Sequence, residues 1–153
     1  MNSKNDFKVI AEEFEDYRIL RYQVTGFENL PLKKKILLYY LYEAALSGRD
    51  IIWDQNYRYN LLIRKTLEHI LKYSQKLKED ENWNLFLAYL KKIWFSNGIH
   101  HHYSMEKIVP HFSENYFTSL LTDTPKPDFL KDNENIEDFI HWITPLLFDP
   151  EIA

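Results

Sequence analysis

Three of the six histidines stand side by side in Ser96-Asn97-Gly98-Ile99-His100-His101-His102-Tyr103-Ser104. Imidazole binds metals and moves protons near neutral pH. In an extended segment side chains alternate, so His100 and His102 share a face there. A zinc centre needs three or four convergent ligands, each held by a supporting partner, and no third ligand stands close by in the sequence. A small metal-binding protein using His100 and His102 is therefore a reading that demands stoichiometric uptake, lost when both are mutated. The plainer reading is a loop ordered by hydrogen bonds to its imidazoles and to Tyr103.

A second run, Gly48-Arg49-Asp50-Ile51-Ile52-Trp53-Asp54-Gln55-Asn56-Tyr57-Arg58-Tyr59-Asn60, mixes charge and aromatic rings too densely for an ordinary solvated face. Asp50, Asp54 and Asn56 can act on a ligand, or they can form a buried network with Arg49, Arg58 and Arg64. Arg–carboxylate pairs at helical spacing usually organise structure, which favours the network. Asp50 and Asp54 are like charges four residues apart and need a nearby cation such as Arg58. Several enzyme classes are excluded by motif. No His-Glu dipeptide exists, hence no His-Glu-x-x-His zinc helix, and with only Gly26, Gly48 and Gly98 there is no Gly-x-Ser-x-Gly elbow and no phosphate loop. No catalytic constellation is visible.

The elements that must position these runs read as helices. Phe7, Ile10, Ala11 and Phe14 predict a short amphipathic helix, and Tyr17 to Val24 looks extended but irregular. Pro31 suits a first helical turn, Ile36, Leu37, Tyr40, Leu41, Ala44 and Ala45 mark an apolar face, and Gly48 suits a stop. Leu38, Tyr39 and Tyr42 widen that face, predicting burial on more than one side. A third helix is expected from Asp54 to Leu77, with Tyr57, Leu61, Ile63, Leu67, Ile70 and Leu71 inward. The acidic stretch Glu79-Asp80-Glu81 opens a fourth, burying Trp83, Phe86, Leu87, Leu90, Ile93 and Trp94 and ending before Asn97-Gly98. Residues 97–112 read as a loop. Ser113 caps a short helix with Tyr116, Phe117, Leu120 and Leu121 inward, and 122–128 is a turn with two prolines. A last helix spans Asn135 to Leu147, with Pro145 distorting or ending it. The expected fold is all-α, an irregular bundle of about six helices in a single domain over residues 1–153.

Composition narrows the partners. The net charge is −4 with signs interspersed and no basic stripe, which argues against nucleic acid; Lys33-Lys34-Lys35 reads as a solvated face. There is no Cys, so disulfides and thiolate chemistry are excluded. No run approaches the roughly 20 apolar residues of a membrane span, and Met1 to Asp6 lead into no apolar signal region. The default expectation is a cytoplasmic protein. The close, Phe148-Asp149-Pro150-Glu151-Ile152-Ala153, lacks the polar character of many termini, so the chain reads as truncated after Ala153. Aromatics at 16% against three Gly imply a thick core or a surface that another domain covers.

Taken together, residues 48–60 resemble a Gly-Arg-Asp-Ile…Asp-Gln-Asn…Tyr-Asn run of bacterial relatives in the dipeptidyl peptidase III family. Residues 94–104 resemble the family's Phe-Ser-Asn-Gly-Ile-His-His-His-Tyr-Ser segment, followed at similar spacing by Lys107 and Pro110. Residues 22–27 and 148–153 are similar to that family too, so the resemblance covers nearly the whole chain. It implies an enzyme that removes dipeptides from peptide N-termini, with one zinc held by a His-Glu-x-x-Gly-His helix and a distant Glu. Those elements lie downstream of the matched segment and are absent here. The family has two lobes around a wide cleft, and the resemblance makes this chain part of the lobe without zinc. No cofactor is expected in this chain, and zinc is implied only in the full-length parent.

Eukaryotic relatives carry a Gly-Asn-Tyr-Lys-Ser-Phe-Gly-Asp-like segment beside the cleft where this chain has its histidines. By that similarity the substrate-facing candidates are Asn97, Gly98, His100, His101, His102, Tyr103 and Ser104, with His102 and Tyr103 foremost, standing where those relatives have Ser and Phe. The expected partners are a peptide in the parent's cleft and the remainder of the same polypeptide, with neither nucleic acid nor membrane. A lobe fragment should expose apolar surface, at Pro150 to Ala153 or on the Tyr-rich helix around Tyr39. The alternative is a free-standing helical protein-interaction module.

Overall fold

The computed structural model describes residues 7–74, 80–131 and 134–153. The start of the chain at Met1 to Asp6, the expected end of the third helix at Leu77 and Glu79 of the acidic stretch lie outside these. The described chain is predominantly helical with one small sheet. The chain divides into two compact units, Met1–Gly48 and Arg49–Ala153.

In the first unit, the amphipathic helix expected around Phe7 to Phe14 is instead a strand. β1 (Ile10–Phe14) pairs antiparallel with β2 (Tyr17–Leu20). The turn between them places Glu15 at φ 48°. Phe14 stacks on Tyr17 at 5.3 Å between centroids, and Arg18 meets Glu13 at 2.5 Å. Cross-strand pairs of this kind stabilise a hairpin, whereas a helix of two turns is marginal in water. Periodicity alone could not reveal the pairing.

α1 (Leu32–Ser47) begins after Pro31 and closes at Gly48, whose N–H reaches the carbonyls of Ala45 and Leu46. Lys35, expected as part of a solvated face, returns its ammonium to the Glu28 carbonyl at 2.9 Å. The helix was expected to be buried on several sides, yet none of its residues is buried. Leu37, Tyr39, Tyr40, Leu41 and Tyr42 are each more than half exposed. Among the described residues of its own unit the helix has only a hairpin and a 3₁₀ turn at Phe27–Asn29 for company, too little surface to cover apolar residues distributed all round it. The apolar surface expected around Tyr39 is therefore present.

The second unit contains α2 (Arg49–Asn56), α3 (Asn60–Tyr73), α4 (Glu81–Ser96), α5 (Glu114–Thr122) and α6 (Ile136–Phe148). The long helix expected from Asp54 is broken at Tyr57-Arg58-Tyr59. Tyr57 and Tyr59 meet edge to face at 5.5 Å, and the Arg58 guanidinium lies 4.7 Å from the Tyr59 ring centroid. Restarting the helix puts Asn60, Ile63, Leu67 and Ile70 on one buried stripe, while Leu71 is partly exposed. Side-chain caps fix the other starts: Asp80 accepts from the Asn82 N–H, Ser113 from Tyr116 and Asn135 from Glu137. α6 runs three residues past Pro145, because the Asp149 N–H still reaches the Pro145 carbonyl.

Ile63, Leu67 and Ile70 of α3 interlock with Phe86, Leu90 and Ile93 of α4, with Phe117, Leu120 and Leu121 of α5 and with Ile143 and Leu147 of α6. Burying each such side chain contributes about 1.5–3 kcal/mol. A relay of rings, Trp83 to Phe86 to Phe112 to Phe148 to Phe117, with centroid steps of 5.1, 5.7, 5.7 and 6.0 Å, pins the segment after α4 into this core. Trp94 was expected inside with Phe86 and Leu90 but is 39% exposed, for a reason given by its indole N–H below. Among the described residues no helix is long and apolar enough to cross a membrane.

Candidate functional site

The histidine loop starts from a fixed point. Asn97 adopts the left-handed conformation that ends α4, and the Gly98 N–H reaches back to the Ile93 carbonyl at 3.2 Å. Gly98 itself has φ +154°, with the Asn60 amide pressed against it. Asn60 is 1% exposed. Its Oδ1 accepts the Ile99 N–H at 3.1 Å, and Asn56 Nδ2 donates to the Asn97 carbonyl at 3.4 Å. The junction of α2 and α3 thereby grips the base of the loop. Sequence reasoning missed Asn60, although its phase was readable: it stands three residues before Ile63, on the apolar stripe of α3.

Beyond Ile99 the chain turns back on itself. His100 pairs with Lys107 as an isolated antiparallel bridge. The His101 N–H donates to the Glu106 carbonyl at 2.7 Å and the Ile108 N–H to the Ile99 carbonyl at 2.7 Å. Inside the turn, His101 Nδ1 accepts the N–H groups of Tyr103 and Ser104 at 3.3 and 3.2 Å. By accepting both, His101 shapes the turn. Ser104 supplies a second brace: its hydroxyl donates to Glu106 at 3.3 Å and accepts the Glu106 N–H at the same distance. His100 is half-buried and meets Tyr57 edge-on at 5.8 Å.

His102 and Tyr103 are exposed, as are Ser104, Met105 and Glu106 after them. The His102 and Tyr103 rings lie 4.2 Å apart, and His102 meets Phe95 at 5.1 Å. Tyr103 is 85% exposed. Phe95, His102 and Tyr103 thus form an open aromatic cluster, and His102 also lines a cavity of about 180 Å³ with Asn56, Asn60, His100, His101 and Met105. The seven loop candidates divide by position: Asn97, Gly98, His100, His101 and Ser104 build the loop, whereas His102 and Tyr103 are presented by it. Among the described residues no three His, Asp or Glu side chains come together so as to hold a metal ion.

The polar network has a different centre from the one expected. Arg64 Nη1 meets Asp50 Oδ1 at 2.8 Å, and its Nε meets Glu68 Oε1 at 2.8 Å. The same Glu68 oxygen accepts the Trp94 indole N–H at 3.0 Å. This bond draws Trp94 to the surface. The guanidinium also lies 5.2 Å from the Trp53 ring centroid. Burial works against the Arg64 charge, but hydrogen bonds and charge from Glu68 and Asp50 prevail and raise its pKa. Of the expected members only Asp50 joins Arg64. Asp54 is exposed, Arg58 is turned to Tyr59, Asn56 serves the loop, and Arg49 lines a cleft with Trp53, Trp94 and Asn97. The network is partly open, with the Asp50 side chain 53% exposed, because helical spacing within 49–58 cannot show that α3 and α4 supply its other half. Arg64→Met should lower stability by about 1–2 kcal/mol, discounting the exposed Asp50 pair. Urea unfolding followed by tryptophan emission checks this, since two of the four Trp adjoin Arg64.

No family model matches the chain, and no curated protein matches it.

Proposed function

We propose that this chain is the N-terminal, zinc-free lobe segment of a dipeptidyl peptidase III-like enzyme, and that its loop offers His102 and Tyr103 to a peptide in the parent's cleft. One observation carries the reading. The two runs on which the resemblance rests, 48–60 and 94–104, meet through Asn56 to Asn97 and Asn60 to Ile99. Residues spent on holding that loop are distinct from the aromatic pair it exposes. Flat rings with a polar edge suit contact with peptide backbone and apolar side chains alike.

No chemical step is assigned to this chain, since the resemblance puts the zinc helix in the longer parent. Its contribution is to bind. Hydrolysis of dipeptidyl naphthylamides with added zinc, measured on this chain and on the longer parent, is expected to show turnover by the parent alone. Replacing His102 and Tyr103 by Ala in the parent should raise KM about three- to tenfold, more than it lowers kcat. Unchanged kinetics would remove the loop from substrate contact, and turnover by the 153-residue chain would sink the lobe reading. The exposed apolar girth of α1 favours a second reading, a helical interaction module, which gains if neither protein turns over substrate.

A further inference from the structure

Among the described residues Lys107 has no acidic side chain as a hydrogen-bond partner. Its ammonium donates to two backbone carbonyls, Asp149 at 2.5 Å and Ile152 at 2.6 Å. Both belong to the turn that follows α6. That turn is itself tied, because Asp149 Oδ1 accepts the Glu151 N–H at 2.9 Å and the Asp149 carbonyl accepts the Ile152 N–H at 3.3 Å. Lys107 sits on the returning side of the histidine loop, opposite His100. Its charge stands at the C-terminal end of α6, where the helix dipole favours a cation, and hydrogen bonds from a charged donor are the stronger kind. Just before the turn, Phe148 is locked against Phe112 and Phe117. One end of the loop is thus fixed by Asn60 and the other by a turn more than forty residues away in sequence.

We infer that Lys107 is a positioning residue: it clasps residues 149–152 to the returning side of the loop, so that the order of the loop and the order of the turn are one property. In thermodynamic terms the two segments share a coupling free energy, and loosening either loosens both. The coupling stands by itself. Only its consequence for a substrate, a KM that rises when the clasp is cut, rests on the peptide-contact reading above.

The test is amide hydrogen exchange on the full chain, read at His101, Met105 and Ile108, whose N–H groups close the loop. Leu90 and Ile93 in α4 serve as internal controls. Lys107→Met keeps the length of the side chain and removes its donors; loop exchange should accelerate about tenfold or more with the α4 amides unchanged. Lys107→Arg keeps charge and donors and should restore most of the protection. Pro150→Gly loosens the turn without touching Lys107 and should also speed the loop amides. The double variant Lys107→Met/Pro150→Gly should be no faster than the faster single one, since both cut the same coupling. Additive effects would overturn the clasp. So would loop exchange unchanged in Lys107→Met, or acceleration shared equally by α4, which would make Lys107 a support of the whole unit.

Discussion

Gly98→Ala should destabilise the second unit by about 3 kcal/mol, the sum of crowding and backbone strain. A Cβ at residue 98 would lie 2.2 Å from Asn60 Nδ2, 2.7 Å from its Cγ and 2.9 Å from its Oδ1. The amide cannot swing aside cheaply, since it is buried and Oδ1 holds the Ile99 N–H. Backbone at φ +154° adds a penalty that any side chain meets. A double-mutant cycle separates the two contributions. In an Asn60→Ala background the crowding is gone, so Gly98→Ala should cost only about 1–2 kcal/mol of strain. Equal costs in both backgrounds would show that Asn60 is not the obstacle. Asn60→Ala itself leaves the Ile99 N–H without its acceptor, at about 1–2 kcal/mol.

The second large effect is a steep loss of stability in alkali. Tyr89 is 3% exposed, and its hydroxyl is buried with no hydrogen-bond partner among the described residues. Burial pushes its pKa well above the ordinary value of 10.0. The folded form therefore keeps its proton where the unfolded chain releases it. Stability from this group is complete below about pH 10 and falls as pH rises toward the folded pKa, by about 1.4 kcal/mol per pH unit. Tyr116, pushed up to about 12 by burial and by Asp80, adds to the loss over the same range. Lys107 has the opposite sign: burial lowers its pKa, so stability gains as pH climbs from that value to 10.5 and no further. Urea midpoints measured from about pH 8 to about pH 11 should decline steeply in the upper part of that range. Tyr89→Phe should flatten the decline. At neutral pH it should be neutral or stabilising by about 1 kcal/mol, because an unpaired hydroxyl is removed. A wild-type slope that survives in Tyr89→Phe would assign the loss elsewhere.

What was legible in the sequence is local. α4, α5 and α6 announce themselves by apolar stripes between caps, and Asp80, Ser113, Asn135 and Asn97-Gly98 all act where their chemistry says they should. The failures share one cause, which is pairing at a distance. Phe7 to Phe14 satisfy a helical period, but the decision lay in Tyr17 and Arg18 across a turn. The break at Tyr57 to Tyr59 divides what periodicity joins, because the aromatic contacts and the inward reach of Asn60 outweigh continuity of the helix. At the site, the loop after Asn97-Gly98 was readable. The grip by Asn60, the Glu68 bridge to Trp94 and the Lys107 clasp were not, since each joins residues 26 to 45 positions apart. Asn60 alone left a trace, as a polar residue in phase with Ile63, Leu67 and Ile70.

The end of α4 also bears on how the molecule ages. Asn-Gly is the dipeptide most prone to deamidation, which proceeds when the glycine nitrogen attacks the asparagine side chain to close a succinimide ring. Here that nitrogen donates its hydrogen to the Ile93 carbonyl, and Asn97 is held at φ 52° and ψ 39°. Ring closure requires the cap to open first. The fold therefore shelters its weakest covalent link, and the chemical lifetime of Asn97 is tied to how often the last turn of α4 comes undone.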